Sequence, residues 1–306
     1  MIDILFGEAP ERLHLTVHMG KVIGFLDRRI QPPRFRSNRV IGFTVTLTVI
    51  VLFLLLSYLI IFTIRSVFGL IGYIAISAIL MKMTFAIRSL DEHISPIAVA
   101  LTSDNLPWAK DLLGKISRRD LAPLDEKLVT SGAVEAVSEA TVDGVIAPLF
   151  YFMIFGVLGA IAYRAINTLD SMIAYKSEDY RDFGWFAAKL DSAANFIPAR
   201  LTALLIILAG SLHHHSGANG WRILKRDRKK MESMNAGWPI ASMAGVLNIQ
   251  LKKSGHYTLG EATSPLHFGH TIEALKIMKT SVGLFVLLIL IPALILLQEI
   301  KGGILL

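Results

Sequence analysis

The sequence predicts a mainly α, polytopic integral membrane helical protein, with four or five membrane segments joined by polar cytoplasmic loops. Three observations predict it. Mean hydropathy is +0.55 and 53% of the 306 residues are hydrophobic, too apolar for an ordinary soluble domain or a disordered chain. Uncharged runs long enough to cross a bilayer recur along the chain. Strand signals, meaning two-residue alternation between turn residues, are weak throughout. No internal repeat or heptad run is evident, so residues 1–306 read as a single integral membrane domain.

The first 39 residues hold seven Lys/Arg and four Asp/Glu with no apolar core, which excludes a secretory signal. Val40 to Ile64 is 25 residues without a charge. A bilayer core needs about 20 residues of helix, so 40–64 is a span. After Arg65 a second apolar segment, 66–87, completes a helical hairpin, with Lys82 snorkelling. Residues 88–144 are polar, and Leu124 to Asp143 reads as a helix. Its acids Glu135, Glu139 and Asp143 advance by about 40° per step and share one face. Val145 to Tyr163 has no charge but carries Pro148 and the interruption Phe155-Gly156-Val157-Leu158-Gly159. A Gly-broken apolar segment beside acids suits a re-entrant element lining a cavity. A simple span would put Glu139/Asp143 and Asn167/Asp170 on opposite faces of the membrane. If they form one site, segment 145–163 turns back. Segments 201–217 and 280–298 complete the set, the last with a kink at Pro292. Between them, 218–279 carries ten Lys/Arg, as a cytoplasmic loop should.

The net charge of +7 is concentrated. Arg28, Arg29, Arg34, Arg36 and Arg39 form one basic run, and residues 222–230 hold six basic residues and one acid, Asp227. Both fit flanks that touch anionic lipid, with a phosphate-binding surface as the sharper alternative. No recognition motif or aromatic platform accompanies them, which argues against nucleic acid. The chain has no cysteine, which excludes disulfides, thiolate zinc sites and a cysteine nucleophile.

Clustered Asp, Glu and Asn suit magnesium, a hard cation that takes oxygen ligands and bridges to phosphates. Glu135, Glu139, Asp143, Asp170, Asp191 and Asn195 could supply such ligands. Arg119, Lys176 and Arg200 could hold phosphate oxygens. The bland alternative is internal pairing, such as Asp191 with Arg200. His213-His214-His215 cannot all reach one ion from a regular helix, because neighbours point about 100° apart, so the run marks a helix end. His267-x2-His270 is better spaced but has no evident third ligand. Asp143-Gly144-x2-Ala147 mimics the membrane CDP-alcohol phosphotransferases, yet Pro148 stands where arginine is needed and the next acid, Asp170, comes too late. No Gly-x4-Gly-Lys-Ser/Thr phosphate loop exists.

The ordered motifs are more specific. Glu139-Ala-Thr-Val-Asp-Gly-Val-Ile-Ala-Pro-Leu-Phe-Tyr, Tyr163-Arg-Ala-Ile-Asn-Thr-Leu-Asp-Ser-Met, Phe183-Gly-Trp, Asp191-x3-Asn195-x-Ile-Pro-Ala-Arg and Asn235-Ala-Gly-Trp-Pro resemble the adenosylcobinamide-phosphate synthases of cobalamin biosynthesis. The resemblance is strong over about residues 110–260 and rests on membrane pattern elsewhere. It implies a multi-pass enzyme of the cell membrane with a cytoplasmic-facing active site. Such an enzyme joins adenosylcobyric acid, a corrinoid, to (R)-1-amino-2-propanol or its O-phosphate, using ATP and Mg2+. It further implies Glu135, Glu139, Asp143 and Asp170 at magnesium, and Asn167, Asn195 and Asn235 on substrate polar groups. Arg119, Asp120, Lys176 and Arg200 would lie on phosphate, with Asp191 as base or partner of Arg200. Glu139, Asp143, Asp170 and Asp191 form the implied catalytic set. The other expected partners are the lipid bilayer and either a second copy or other corrinoid-pathway membrane proteins. The chain departs from the family pattern at Val17, Leu121-Ala122, Ala140, Lys189, Ser192 and Met234. Ala140 and Ser192 keep one rival in view, a non-catalytic corrinoid-binding or scaffold protein, and Asp170 and Glu139 near a broken helix another, an ion-coupled transporter.

Overall fold

The structure, a computed structural model, describes residues 14–29, 38–117, 119–174 and 180–304. Lys176, Arg34 and Arg36 lie outside them. The protein is helical, as predicted, with one small β-hairpin among the described residues. Among the described residues three helical stretches are long and apolar enough to cross a membrane, Arg39–Thr102, Glu126–Ile173 and Gly269–Glu299. A fourth exists if Trp185–Ala194 and Phe196–Leu212 count as one span. The chain divides into two compact units, Met1–Ala86 with Ala147–Asn195, and Ile87–Ile146 with Phe196–Leu306.

The first unit holds α1 (Leu15–Arg29), α2 (Arg39–Lys82), α6 (Ala147–Ile173) and α7 (Trp185–Ala194). Asn38 caps α2 by accepting from the Val40 N–H at 2.9 Å. Val157, Ile161, Ala165, Leu169 and Ile173 recur every fourth residue on α6 and are buried with Val45, Val49 and Phe53 of α2. Such four-residue ridges are the rows along which helices interdigitate. Met19 and Ile23 of α1 and Phe183 and Ala187 close the same core. Gly42 has no room for a Cβ, because the Phe183 carbonyl lies against it.

Both long helices of this unit reverse direction at a glycine. Gly156 has φ 67° and ψ −159°, and Gly69 has φ 62° and ψ −147°, a region open essentially to glycine alone. The rings of Tyr151 and Tyr163 stack at 5.4 Å, whereas a straight helix would separate them by about 18 Å. A Cβ on Gly159 would lie 2.5 Å from the Tyr151 carbonyl oxygen, and one on Gly72 3.0 Å from that of Ile64. The sequences at the two turns match, Phe68-Gly69-Leu70-Ile71-Gly72 and Phe155-Gly156-Val157-Leu158-Gly159. In each, the first glycine supplies the backbone angle and the second lets the limbs touch. The repeat is too short to register in a sequence scan for periodicity. The expected boundary at Arg65 is corrected by it. Helix continues through Arg65, whose guanidinium lies 5.6 Å from the Tyr73 ring across the turn.

The second unit holds α3 (Ile87–Thr102), α4 (Leu106–Gly114), α5 (Glu126–Thr141), α8 (Phe196–Leu212), α9 (Gly217–Asp227), α10 (Gly237–Val246), α11 (Gly269–Phe285) and α12 (Ile291–Ile304). The hairpin pairs β1 (Gln250–Lys253) with β2 (Tyr257–Gly260), antiparallel, Leu251 facing Leu259. Gly220 and Gly245 let α9 and α10 meet backbone to backbone, a Cβ on Gly245 falling 2.8 Å from the Gly220 Cα. α8 ends at Leu212, short of the expected 217, because His213 and His214 form a turn with His214 at φ 61°. The triple histidine is therefore a helix end, as its spacing predicted.

Two π-helical turns, Val142–Ile146 and Val286–Leu290, each precede a proline, Pro148 and Pro292. Proline lacks the N–H that would reach back four residues and its ring crowds that carbonyl, so a widened turn relieves both. The expected disturbance at Pro292 takes this form, within a helix that continues to Ile304. The turn at Val142–Ile146 places Asp143 where α5 loses α-helical phase.

Candidate functional site

The predicted residues gather in two polar groups, one in each unit. In the first unit, Asp191 on α7 accepts from Asn167 Nδ2 at 3.4 Å and from Asn195 Nδ2 at 3.1 Å. The Tyr163 hydroxyl donates to Asn195 Oδ1 at 2.8 Å, and the Tyr151 hydroxyl to the Ala194 carbonyl at 3.0 Å. Asn195 is buried and spends its amide at both ends. Arg164 and Asp170 lie one turn to either side of Asn167 on the returning limb of α6, both half-buried. The hydrogen bonds described for Asp191 thus come from neutral amides. Tyr163 opens one of the quoted motifs, but its part in this network had no sequence signal beyond that.

In the second unit, Glu135 is fixed from three sides. Arg119 Nη2 forms a buried ion pair with it, Tyr257 donates its hydroxyl, and the Ser131 hydroxyl donates at 3.0 Å. Arg119 also donates to the Lys252 carbonyl at 3.2 Å, and Ser131 accepts from the Lys252 N–H at 2.8 Å. The β-hairpin is thereby bound to α5. Burial, then the charge and hydrogen bond of Glu135, push the Tyr257 phenol above its ordinary range, so it stays a donor. One turn along α5, Glu139 is exposed, and Asp143 is half-buried in the π-turn. The three acids expected on one face therefore differ in setting. Asp120 is exposed and accepts from the Ala122 N–H at 3.1 Å, a local turn.

Arg200 opens α8 and donates to the Phe196 carbonyl and to Asn235 Oδ1 at 3.3 Å. Its guanidinium stacks on Phe196 at 3.5 Å and on Trp238 at 4.7 Å. Half of the basic residues in the run 222–230 are paired with carboxylates. Arg222 and Arg226 pair with Glu261, and Arg226 and Lys230 pair with the buried Asp227. Burial alone would raise the Asp227 carboxyl, but hydrogen bonds from Arg226, Lys230 and the Gly260 N–H outweigh it and hold it at about 2. This network was missed because one acid among six bases reads as a solvated flank.

Among the described residues no three of His, Asp and Glu stand close enough to hold a metal ion by themselves. The rings of His267 and His270 lie 4.0 Å apart, tilted by 44°. The donors do fit magnesium in kind, being hard carboxylate and amide oxygens. Magnesium usually takes one or two carboxylates, water and substrate phosphates, so a complete protein cage is not needed. Glu139 and Asp143 fit that pattern better than Glu135, whose oxygens already accept three donors.

Residues 1–284 match the family model described as CobD/Cbib protein. The chain is 38% identical over 287 residues to a cobalamin biosynthesis protein CobD of Dehalococcoides mccartyi, covering 92% of this chain and 91% of that one. It is 39% identical over 305 residues to the one of Geobacter metallireducens, covering 94% and 92%. A probable cobalamin biosynthesis protein CobD of Pyrococcus furiosus is 40% identical over 257 residues, 84% of each chain. No solved structure matches.

Proposed function

The chain belongs to the CobD/Cbib family of cobalamin biosynthesis proteins, and from that premise we propose that it is an ATP-dependent amide ligase. The reaction joins a carboxylate of adenosylcobyric acid to the amine of 1-amino-2-propanol or its O-phosphate, at the cytoplasmic side of the cell membrane. A carboxylate resists attack by an amine because its oxygen is a poor leaving group. In the proposed scheme the carboxylate oxygen attacks the γ-phosphorus of ATP, ADP leaves, and an acyl phosphate forms. The amine nitrogen then attacks the acyl carbon, inorganic phosphate leaves, and the ammonium proton passes to a base.

The observation that most supports this reading is the contrast along α5. Glu135 is tied into the buried pair with Arg119, while Glu139, one turn on in the Glu139-x3-Asp143 motif, is exposed. Magnesium, when bound, would neutralise phosphate charge, with Glu139 and Asp143 as its protein ligands; Asp170 keeps its proposed magnesium role from sequence alone. Asp191, held by Asn167 and Asn195, is the proposed base, and Arg200 with Asn235 holds phosphate oxygens. Arg119 acts through Glu135, and Lys176 keeps its proposed phosphate role from sequence alone.

A specific observation favours a second reading. Paired Gly-broken helices with matching turn sequences occur in transporters, where they line an ion site. Purified protein incubated with ATP, magnesium, adenosylcobyric acid and aminopropanol phosphate separates the two. A corrinoid mass gain equal to amide formation supports the ligase. Corrinoid binding with no new amide and no ATP turnover rejects it.

A further inference from the structure

From the second unit we infer a phosphate-binding site built from Arg200, Arg228, Trp238 and Asn235. It deepens the proposed reaction and rests on it only for the identity of the bound compound. The guanidinium carbons of Arg200 and Arg228 lie 4.7 Å and 5.1 Å from the centre of the same indole, that of Trp238. They therefore stand no more than about 10 Å apart, each in the range of a cation–π contact.

Neither has a carboxylate partner among the described residues. Arg200 donates to the Phe196 carbonyl and Asn235, and Arg228 to the Lys225 carbonyl at 2.7 Å. On the same stretch Arg222, Arg226 and Lys230 have carboxylates, and Lys225 packs on Trp221. What sets Arg200 and Arg228 apart is that they share one indole. Two like charges around one ring repel, so their proximity is worth keeping when an anion joins them.

The backbone is shaped for the arrangement. A Cβ on Gly237 would overlap the Arg228 carbonyl, so glycine there lets the chain close from 228 to 237 and sets Trp238 against Arg228. All three side chains are half-buried, shielded enough to strengthen an ionic bond and open enough for a ligand to enter. The shared chemistry is a phosphate anion. Its source is either a soluble phosphate compound or a lipid headgroup.

Radiolabelled pyrophosphate is the probe, with the full chain in nanodiscs of phosphatidylcholine alone or mixed with phosphatidylglycerol. Loss of one charged donor should raise Kd about tenfold or more in Arg228→Gln and in Arg200→Gln. Lys276→Gln, an exposed cation on α11, makes the same charge change and should leave Kd unaltered. The wild type gives a readout free of folding effects, because bound pyrophosphate should protect Arg200 and Arg228 from phenylglyoxal. Equal binding in both discs identifies a soluble compound as occupant, and competition by phosphatidylglycerol identifies the headgroup. Unaltered Kd in Arg228→Gln, or absence of protection at Arg228, overturns the site. Binding is read without turnover, so pyrophosphate binding without amide formation rejects the reaction and keeps the site. Amide formation with pyrophosphate binding indifferent to Arg228 does the reverse.

Discussion

Glu135 and Glu139 sit one turn apart on α5 and have opposite expected phenotypes. Glu135→Gln strands the buried Arg119 guanidinium, and breaking such a pair should cost roughly 3–5 kcal/mol of stability. Glu139→Gln removes an exposed carboxylate and should leave the thermal midpoint in detergent almost unchanged while abolishing amide formation. Both midpoints and both rates decide the matter, since equal loss of stability would remove the distinction. Asp227 supplies a pH signature. Its carboxyl falls from the ordinary 3.8 to about 2 in the fold, so the charged form is the stabilising one. That stability is fully present above about pH 4 and lost as pH falls toward 2. Unfolding midpoints measured across this window should drop more steeply in the wild type than in Asp227→Asn. The acids were legible in sequence as a set, because carboxylates beside membrane-grade segments are conspicuous. Their division into tied and exposed was not, since Glu135 is fixed by Tyr257, which no local pattern links to it.

Among elements, the two reversing helices make the sharpest claim. Gly156→Ala and Gly69→Ala place a Cβ on a backbone conformation that only glycine adopts, at a cost of about 1–3 kcal/mol each. Gly283→Ala, in open space on α11 with ordinary helical geometry, should be neutral or gain about 0.5–1 kcal/mol. Expression level and thermal midpoint of the three variants test this. A mild Gly156→Ala would show that α6 bends rather than reverses. The apolar run Val40–Ile64 was plain from sequence, but its turn was assigned to Arg65 because a charge inside an apolar stretch looks like a boundary. Backbone geometry put the turn at Gly69 instead. The β-hairpin escaped notice because four-residue strands leave no alternation to count.

For the whole molecule, the reversal of α6 at Gly156 predicts that its two ends lie on the same side of the membrane. The chain is free of cysteine, so single reporters need no background removal. Phe150→Cys and Ala174→Cys should react with a membrane-impermeant thiol reagent from the same side, and Phe155→Cys at the tip from neither. Labelling of 150 and 174 from opposite sides would make segment 145–163 a simple span. Membership of the family was legible because its motifs are long and ordered, whereas the reaction itself is a matter of chemistry no contact map records. The most direct test is therefore mass spectrometry of the full chain with ATP, magnesium, adenosylcobyric acid and aminopropanol phosphate, beside Asp143→Ala. The account predicts a corrinoid heavier by the amine less one water, formed with stoichiometric ATP consumption and lost in the variant. Bound but unaltered corrinoid, with ATP intact, would contradict it.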